Sequence, residues 1–132
     1  MKGKSYLFDT HALIFWYQQA EVSEAFIAFF DEQSKQGQLF VSSATFWEIG
    51  LLAQKGLITI SDVKAWANEL LALSGIRLAE PSVAEMIDST LLPNRHKDPF
   101  DRLLIAQARH RDFIFVTRDA LIQEYEVTAF WL

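Results

Sequence analysis

Four acidic residues stand where they could do chemistry together. Asp9 directly follows the short apolar run Ser5-Tyr6-Leu7-Phe8, and Asp119 lies three residues past the end of another, Phe113-Ile114-Phe115-Val116. Open α/β sheets place their sites outside the carboxyl ends of the strands, so both fall on the expected edge. Glu48 belongs to an apolar helical stretch with Phe46, Trp47, Ile49, Leu51 and Leu52. A carboxylate buried there without a partner costs several kcal/mol, so it must reach water, a base or a metal. Asp101 starts a core-facing stripe with Leu104, Ile105 and Ala108. It lies in a first helical turn, where the helix dipole favours negative charge.

Each residue also has a plainer explanation. Asp119 can cap the helix after it. Asp9 can form an Asx turn with Thr10. Asp101 can complete a capping pair with Asp98, which reads as the cap itself because it directly precedes Pro99. Glu48 has the weakest such explanation, since the polar side of its helix carries Gln54 and Lys55. One shared explanation is more economical than four separate ones. Carboxylates crowded at a sheet edge repel one another, and a divalent cation removes that repulsion. With three His and no Cys in the chain, the donors are oxygen, which suits Mg²⁺ or Mn²⁺ rather than zinc or copper. The chemistry that follows is metal-assisted phosphoryl transfer, with an activated water and a stabilised leaving oxygen.

The elements that must position these groups alternate. After the first strand, His11–Gln19 reads as an apolar helix. Ser23 caps a second helix that ends before Gly37, and Leu39-Phe40-Val41 is a second strand. Ser42 or Ser43 caps the Glu48 helix, which Gly56 closes. Ser61 caps a further helix whose stripe is Val63, Trp66, Ala67, Leu70 and Leu71. Ile76-Arg77-Leu78 is a third strand, and Ser82–Glu85 is a capping box that opens the next helix. Asp98-Pro99 starts the last long helix. Phe113–Val116 is a fourth strand, Asp119–Tyr125 a short helix and Val127–Trp131 a last strand. Strands separated by helices imply right-handed crossovers and a mostly parallel sheet covered on both faces, a three-layer α/β/α sandwich.

The 132 residues suit one domain, residues 1–132, and 51% hydrophobic against 22% charged residues excludes a disordered chain. A net charge of −5 argues against nonspecific coating of DNA. The charge is uneven. Residues 1–90 hold 6 bases and 11 acids, whereas residues 91–132 hold 6 of each, so an anion-binding surface is expected from the last third. Arg102 and Arg118 adjoin the acidic residues and could contact phosphate, and Arg95-His96-Lys97 forms a basic loop. His11 and His96 are read as structural, and His110 as a solvated group near a helix end. The aromatics, 11 Phe and 4 Trp among them, are mostly core. Those near Phe46, Trp47 and Trp66 could line a groove for a partner helix. The longest apolar run, Ala12–Tyr17, is too short for a membrane span, and the expected location is cytoplasmic.

Four segments carry a family resemblance. They are Asp9-Thr10-His11-Ala12-Leu13, Trp47-Glu48-Ile49, the thirteen residues from His96 to Ala108, and Thr117-Arg118-Asp119. In this order and spacing they resemble the PIN-domain family, and more narrowly the VapC toxins of bacterial toxin–antitoxin pairs. The resemblance covers nearly the whole chain. It implies a Mg²⁺- or Mn²⁺-dependent endoribonuclease, inhibited by a cognate VapB-like antitoxin and usually homodimeric. It assigns the acidic site to Asp9, Glu48, Asp101 and Asp119, with Thr117 in support; Thr10 adjoins Asp9. One departure stands out: relatives often carry a Lys soon after the helix Glu, where this chain has Leu52 before Lys55. Two other functions remain to be weighed. An acidic-pocket phosphotransfer protein would want Asp-x-Asp after the first strand, where His11 stands, or a Lys at the end of a late strand, which Phe113–Asp119 lacks. A non-catalytic binding domain would use its carboxylates as caps alone.

Overall fold

The computed structural model describes residues 3–94 and 98–132, apart from the side chains of Gln123 and Glu124. The basic loop Arg95-His96-Lys97 lies outside the described residues. In chain order the elements are β1 (Tyr6–Phe8), α1 (Thr10–Gln18), α2 (Glu24–Lys35), β2 (Leu39–Ser42), α3 (Ser43–Gln54), α4 (Val63–Leu73), β3 (Arg77–Ala79), α5 (Val83–Leu91), α6 (Pro99–Arg111), β4 (Ile114–Val116), a short 3₁₀ helix (Ala120–Glu124) and β5 (Ala129–Phe130).

The strands form one sheet in the order β3-β2-β1-β4-β5, and every pairing is parallel. The expected mostly parallel sheet is thus wholly parallel. Because β1 is central, the chain reverses its direction of growth there: β2 and β3 add on one side, β4 and β5 on the other. That reversal opens a crevice at the carboxyl ends of β1 and its neighbours, where Asp9 emerges. The Asp9 amide itself donates to the Val116 carbonyl at 3.1 Å, so the ends of β1 and β4 are held together.

Successive strand residues face opposite sides, and the core divides accordingly. Phe8, Val41 and Val116 face the layer of α1 to α4, with Leu13, Trp16, Phe26, Phe30, Ile49 and Leu70. Leu7 and Phe115 face α6 and the 3₁₀ helix, with Leu104, Ile105, Ala108 and Ile122. This is the expected three-layer sandwich. The first layer is aromatic: the Phe8 ring lies 4.9 Å from Phe30, 5.5 Å from Trp16 and 6.1 Å from Phe26.

Most expected boundaries hold within a residue or two. Ser23, Ser42 and Ser82 cap α2, α3 and α5, the last with a complete capping box. Asp62, not Ser61, caps α4, because its carboxylate reaches the Ala65 amide at 3.0 Å. The last strand shortens to two residues, and the helix before it is 3₁₀. At Gly75 the backbone takes a positive φ, and a Cβ would lie 2.8 Å from the Ser34 hydroxyl, so only glycine fits the turn into β3. Among the described residues, no helix is long and apolar enough to cross a membrane.

Candidate active site

Sequence-distant segments deliver their acids to one cleft. Asp9 ends β1 and caps α1, its carboxylate accepting from the Ala12 amide at 2.7 Å. Asp119 follows β4 and caps the 3₁₀ helix, accepting from Leu121 at 3.0 Å. Asp98 caps α6, accepting from Phe100 at 2.9 Å, and Asp101 lies in the same first turn. The capping explanation is therefore true of Asp9, Asp98 and Asp119, and it does not compete with a shared site. The caps fix the direction of three carboxylates while helix starts converge beneath them.

A cleft of about 290 Å³ is lined by Asp9, Thr10, His11, Glu48, Asp98, Asp101, Arg118, Asp119 and Trp131. All four acids singled out by the sequence are in this set. Glu48 is only 9% exposed, and its partner is the Thr10 hydroxyl, which donates to it from the first turn of α1. The Thr117 hydroxyl accepts from the Asp119 amide at 3.1 Å, and the same side chain holds the Asp9 carboxyl down, so one buried threonine bears on two acids.

Burial dominates the electrostatics. It pushes the Asp9 carboxyl above its ordinary value, and Asp119 adds to the rise; Thr117, the Ala12 amide and His11 oppose it. Burial likewise raises Glu48. There the Thr10 hydroxyl and His11 pull down, while Asp98 and Asp9 push up. These like-charge effects mark a site that favours a cation.

The basic candidates divide. Arg118 lines the cleft, with its guanidinium 5.0 Å from the ring centres of both Phe15 and Trp131. Arg102 is not in the lining. It donates to the carbonyls of Leu92 and Pro93, at 2.9 and 3.1 Å, and so ties the end of α5 to α6. Thr117 lies behind the lining, 6% exposed. Three further residues line the cleft: Asp98, which the sequence explains fully as a cap, His11, which it explains as structural, and Trp131. His11 could have been found from its place two residues after Asp9, in the first turn of a helix that starts at the sheet edge. Trp131 carried no such signal.

The donor set suits a hard divalent cation in kind: oxygen atoms, several formal negative charges, partial burial and mutual repulsion. Among the described residues, no group of three or more His, Asp or Glu side chains forms a ready-made cation cage. Glu48 and Asp9 are instead held by protein donors, the Thr10 hydroxyl and the Ala12 amide.

Comparison with known proteins agrees with the architecture. No curated protein matches the sequence. Among solved structures, VapBC2 from Rickettsia felis bound to a DNA fragment from their promoter superposes with a TM-score of 0.72 at 12% identity, covering 96% of this chain and 97% of that one. DNA-bound VapBC from Salmonella typhimurium gives 0.70 at 14% identity, with 98% of each chain covered. FitAB bound to an IR36 DNA fragment gives 0.69 at 18% identity, covering 96% and 94%. These likenesses concern the fold. The PIN domain family matches residues 6–127, almost the whole sequence. With its all-parallel sheet and its acids gathered at the carboxyl edge, this chain belongs to the PIN domain family.

Proposed function

We propose that residues 1–132 are a single nuclease domain, a divalent-metal-dependent endoribonuclease acting as the toxin of a toxin–antitoxin pair. The observation that carries the reading is the convergence of Asp9, Glu48, Asp101 and Asp119 on one cleft that also presents the cation of Arg118. The family and the likeness to VapBC and FitAB structures support it.

Asp9, Glu48, Asp101 and Asp119 would hold Mg²⁺ or Mn²⁺, which supplies activation of water and neutralisation of charge on the phosphate. The chain's own groups do the rest. Thr10 aims Glu48, the Ala12 amide aims Asp9, and Thr117 fixes the Asp119 backbone. Arg118, held between two rings, meets a backbone phosphate that the acids alone would repel. Water attacks phosphorus in line, the P–O3′ bond breaks, and the products are 5′-phosphate and 3′-hydroxyl ends. The remaining elements of the proposal are a VapB-like antitoxin, a homodimer and a cytoplasmic setting.

The test is cleavage of RNA by the full chain with Mg²⁺ or Mn²⁺, with EDTA, and after Asp9→Asn or Asp101→Asn. Cleavage is expected only with the metal and the native acids. Cleavage that survives EDTA and both substitutions would refute the proposal, as would transfer of phosphate from acetyl phosphate to Asp9.

A further inference from the structure

We propose that Trp131 is a positioning residue: with Phe15 it holds the Arg118 guanidinium on ring faces, open to a phosphate and away from the carboxylates that would hold the metal, a role that rests on the nuclease reading above.

A guanidinium on the wall of an acidic cleft has an obvious partner. The cleft of about 290 Å³ that Arg118 lines is also lined by Asp9, Glu48, Asp98, Asp101 and Asp119. Among the described residues, Arg118 nevertheless pairs with none of these carboxylates. Its guanidinium carbon lies 5.0 Å from the ring centre of Phe15 and 5.0 Å from that of Trp131. Contact with an aromatic face rivals an exposed ion pair, which gains little in water and costs side-chain entropy. Two faces therefore compete with the acids for this side chain.

The clamp joins distant parts of the chain. Val116 pairs with Phe130 across β4 and β5, and the Thr117 amide donates to the Phe130 carbonyl at 3.1 Å. That register brings out Arg118 and Trp131 near one another at the carboxyl edge of the sheet. Trp131 is anchored from behind, its ring centre 4.7 Å from that of Phe26, which is wholly buried. Phe15 comes from α1, the helix that Asp9 caps. Trp131 itself is half-buried and lines the cleft, so the clamp belongs to the same site as the acids.

What the clamp does follows from the chemistry of its cargo. A guanidinium over a ring keeps the N–H donors on its edge for phosphate oxygens. Released from the rings, it would settle on the carboxylates. There it would occupy oxygens that a divalent cation needs, and its charge would repel that cation. Arg118 serves a phosphate only while something holds it off the acids.

The experiment combines calorimetric Mn²⁺ titration with steady-state cleavage of an RNA by the full chain, for Trp131→Ala, Trp131→Phe, Arg118→Ala and the double variant Arg118→Ala with Trp131→Ala. Trp131→Ala should bind Mn²⁺ about tenfold more weakly, the smaller end of what one adjacent charge does to proton binding at a carboxylate. It should also raise KM as much as Arg118→Ala does, and saturating Mn²⁺ should return kcat to within about threefold of the native value. Trp131→Phe keeps a ring face and should stay near native in both. The double variant decides: it should regain native Mn²⁺ affinity while KM stays high, because the competing cation is gone and so is the phosphate contact. Native Mn²⁺ affinity in Trp131→Ala would overturn the proposal. So would a double variant that binds Mn²⁺ no better than Trp131→Ala, since the tryptophan would then be structural only. In either case, Mn²⁺-dependent cleavage that Asp101→Asn abolishes would leave the nuclease reading standing. If the native chain binds no Mn²⁺, both fall. If Trp131→Ala fails to fold, Trp131→Leu, which keeps an apolar group against Phe26 and removes the ring face, is read by the same criteria.

Discussion

The Thr117 side chain, at the end of β4, opposes the burial-driven rise of the Asp9 carboxyl at the end of β1. Its hydroxyl oxygen accepts from the Asp119 amide at 3.1 Å. A single methyl-for-hydroxyl exchange therefore disturbs two acids. Thr117→Val should weaken Mn²⁺ binding about 10- to 100-fold, as loss of a supporting hydrogen bond does at metal sites. It should also cost about 1–3 kcal/mol of stability, because the Asp119 amide loses its acceptor. Calorimetric Mn²⁺ titration and urea unfolding check the two parts; unchanged Mn²⁺ affinity would remove Thr117 from the site.

Glu48 bears on metal binding and stability with opposite signs. Its burial disfavours the charged form, so ionised Glu48 weakens the metal-free fold near neutrality. Glu48→Gln keeps an acceptor for Thr10 and removes the charge. At pH 7 without metal the variant should melt higher, by about 2–4 °C for each kcal/mol recovered. The rise in Tm that Mn²⁺ gives the native chain should vanish in the variant. A variant that melts lower and still responds to Mn²⁺ would contradict both halves.

Arg118 should act on RNA through charge. Arg118→Ala should raise KM several-fold and reduce the slope of log affinity against log salt by roughly 0.7, the value for one phosphate contact on a single strand. The salt dependence separates this from a packing defect caused by losing the contacts with Phe15 and Trp131. An unchanged slope would assign Arg118 to packing alone.

Away from the cleft, Glu85 is 2% exposed and meets the Arg111 guanidinium through two 2.8 Å bonds. The Arg111 bond holds the Glu85 carboxyl below its ordinary value of 4.5. Between the two values the unfolded chain binds more protons than the folded one, so stability rises with pH there. The contribution is complete above the ordinary carboxylate range and is lost as pH falls through the depressed value. Arg111→Ala should cost about 2–4 kcal/mol at pH 7, since it leaves a buried charge unpaired. The deficit should shrink below pH 4. A deficit independent of pH, followed by thermal melts, would contradict the ion pair's role.

The legible part of this fold was local. Capping residues placed most helix starts and turn glycines several helix ends, because a cap needs only a few neighbouring residues. The short apolar strands gave away a sheet buried on both faces. That the four acids line one cleft was legible because strand ends and apolar helix faces limit where a carboxylate can go. What escaped depended on long-range approach. Nothing near Glu48 in sequence pointed to the Thr10 hydroxyl, which arrives from α1. Arg102 looked like a phosphate ligand beside Asp101, yet its side chain runs back to the Leu92 and Pro93 carbonyls. Trp131 reaches the cleft because β5 lies beside β4, a pairing that two strand residues hardly advertise. Asp98 concealed a double role, since capping α6 explained it fully.

Anomalous diffraction from crystals of the full chain grown with Mn²⁺ shows whether the four carboxylates share a cation. A Mn²⁺ peak is expected in the cleft, about 2.0–2.3 Å from oxygens of at least two of Asp9, Glu48, Asp101 and Asp119, and it should be lost in Asp101→Asn crystals. Saturating Mn²⁺ with no peak among these carboxylates, or one that Asp101→Asn leaves intact, would contradict a shared cation.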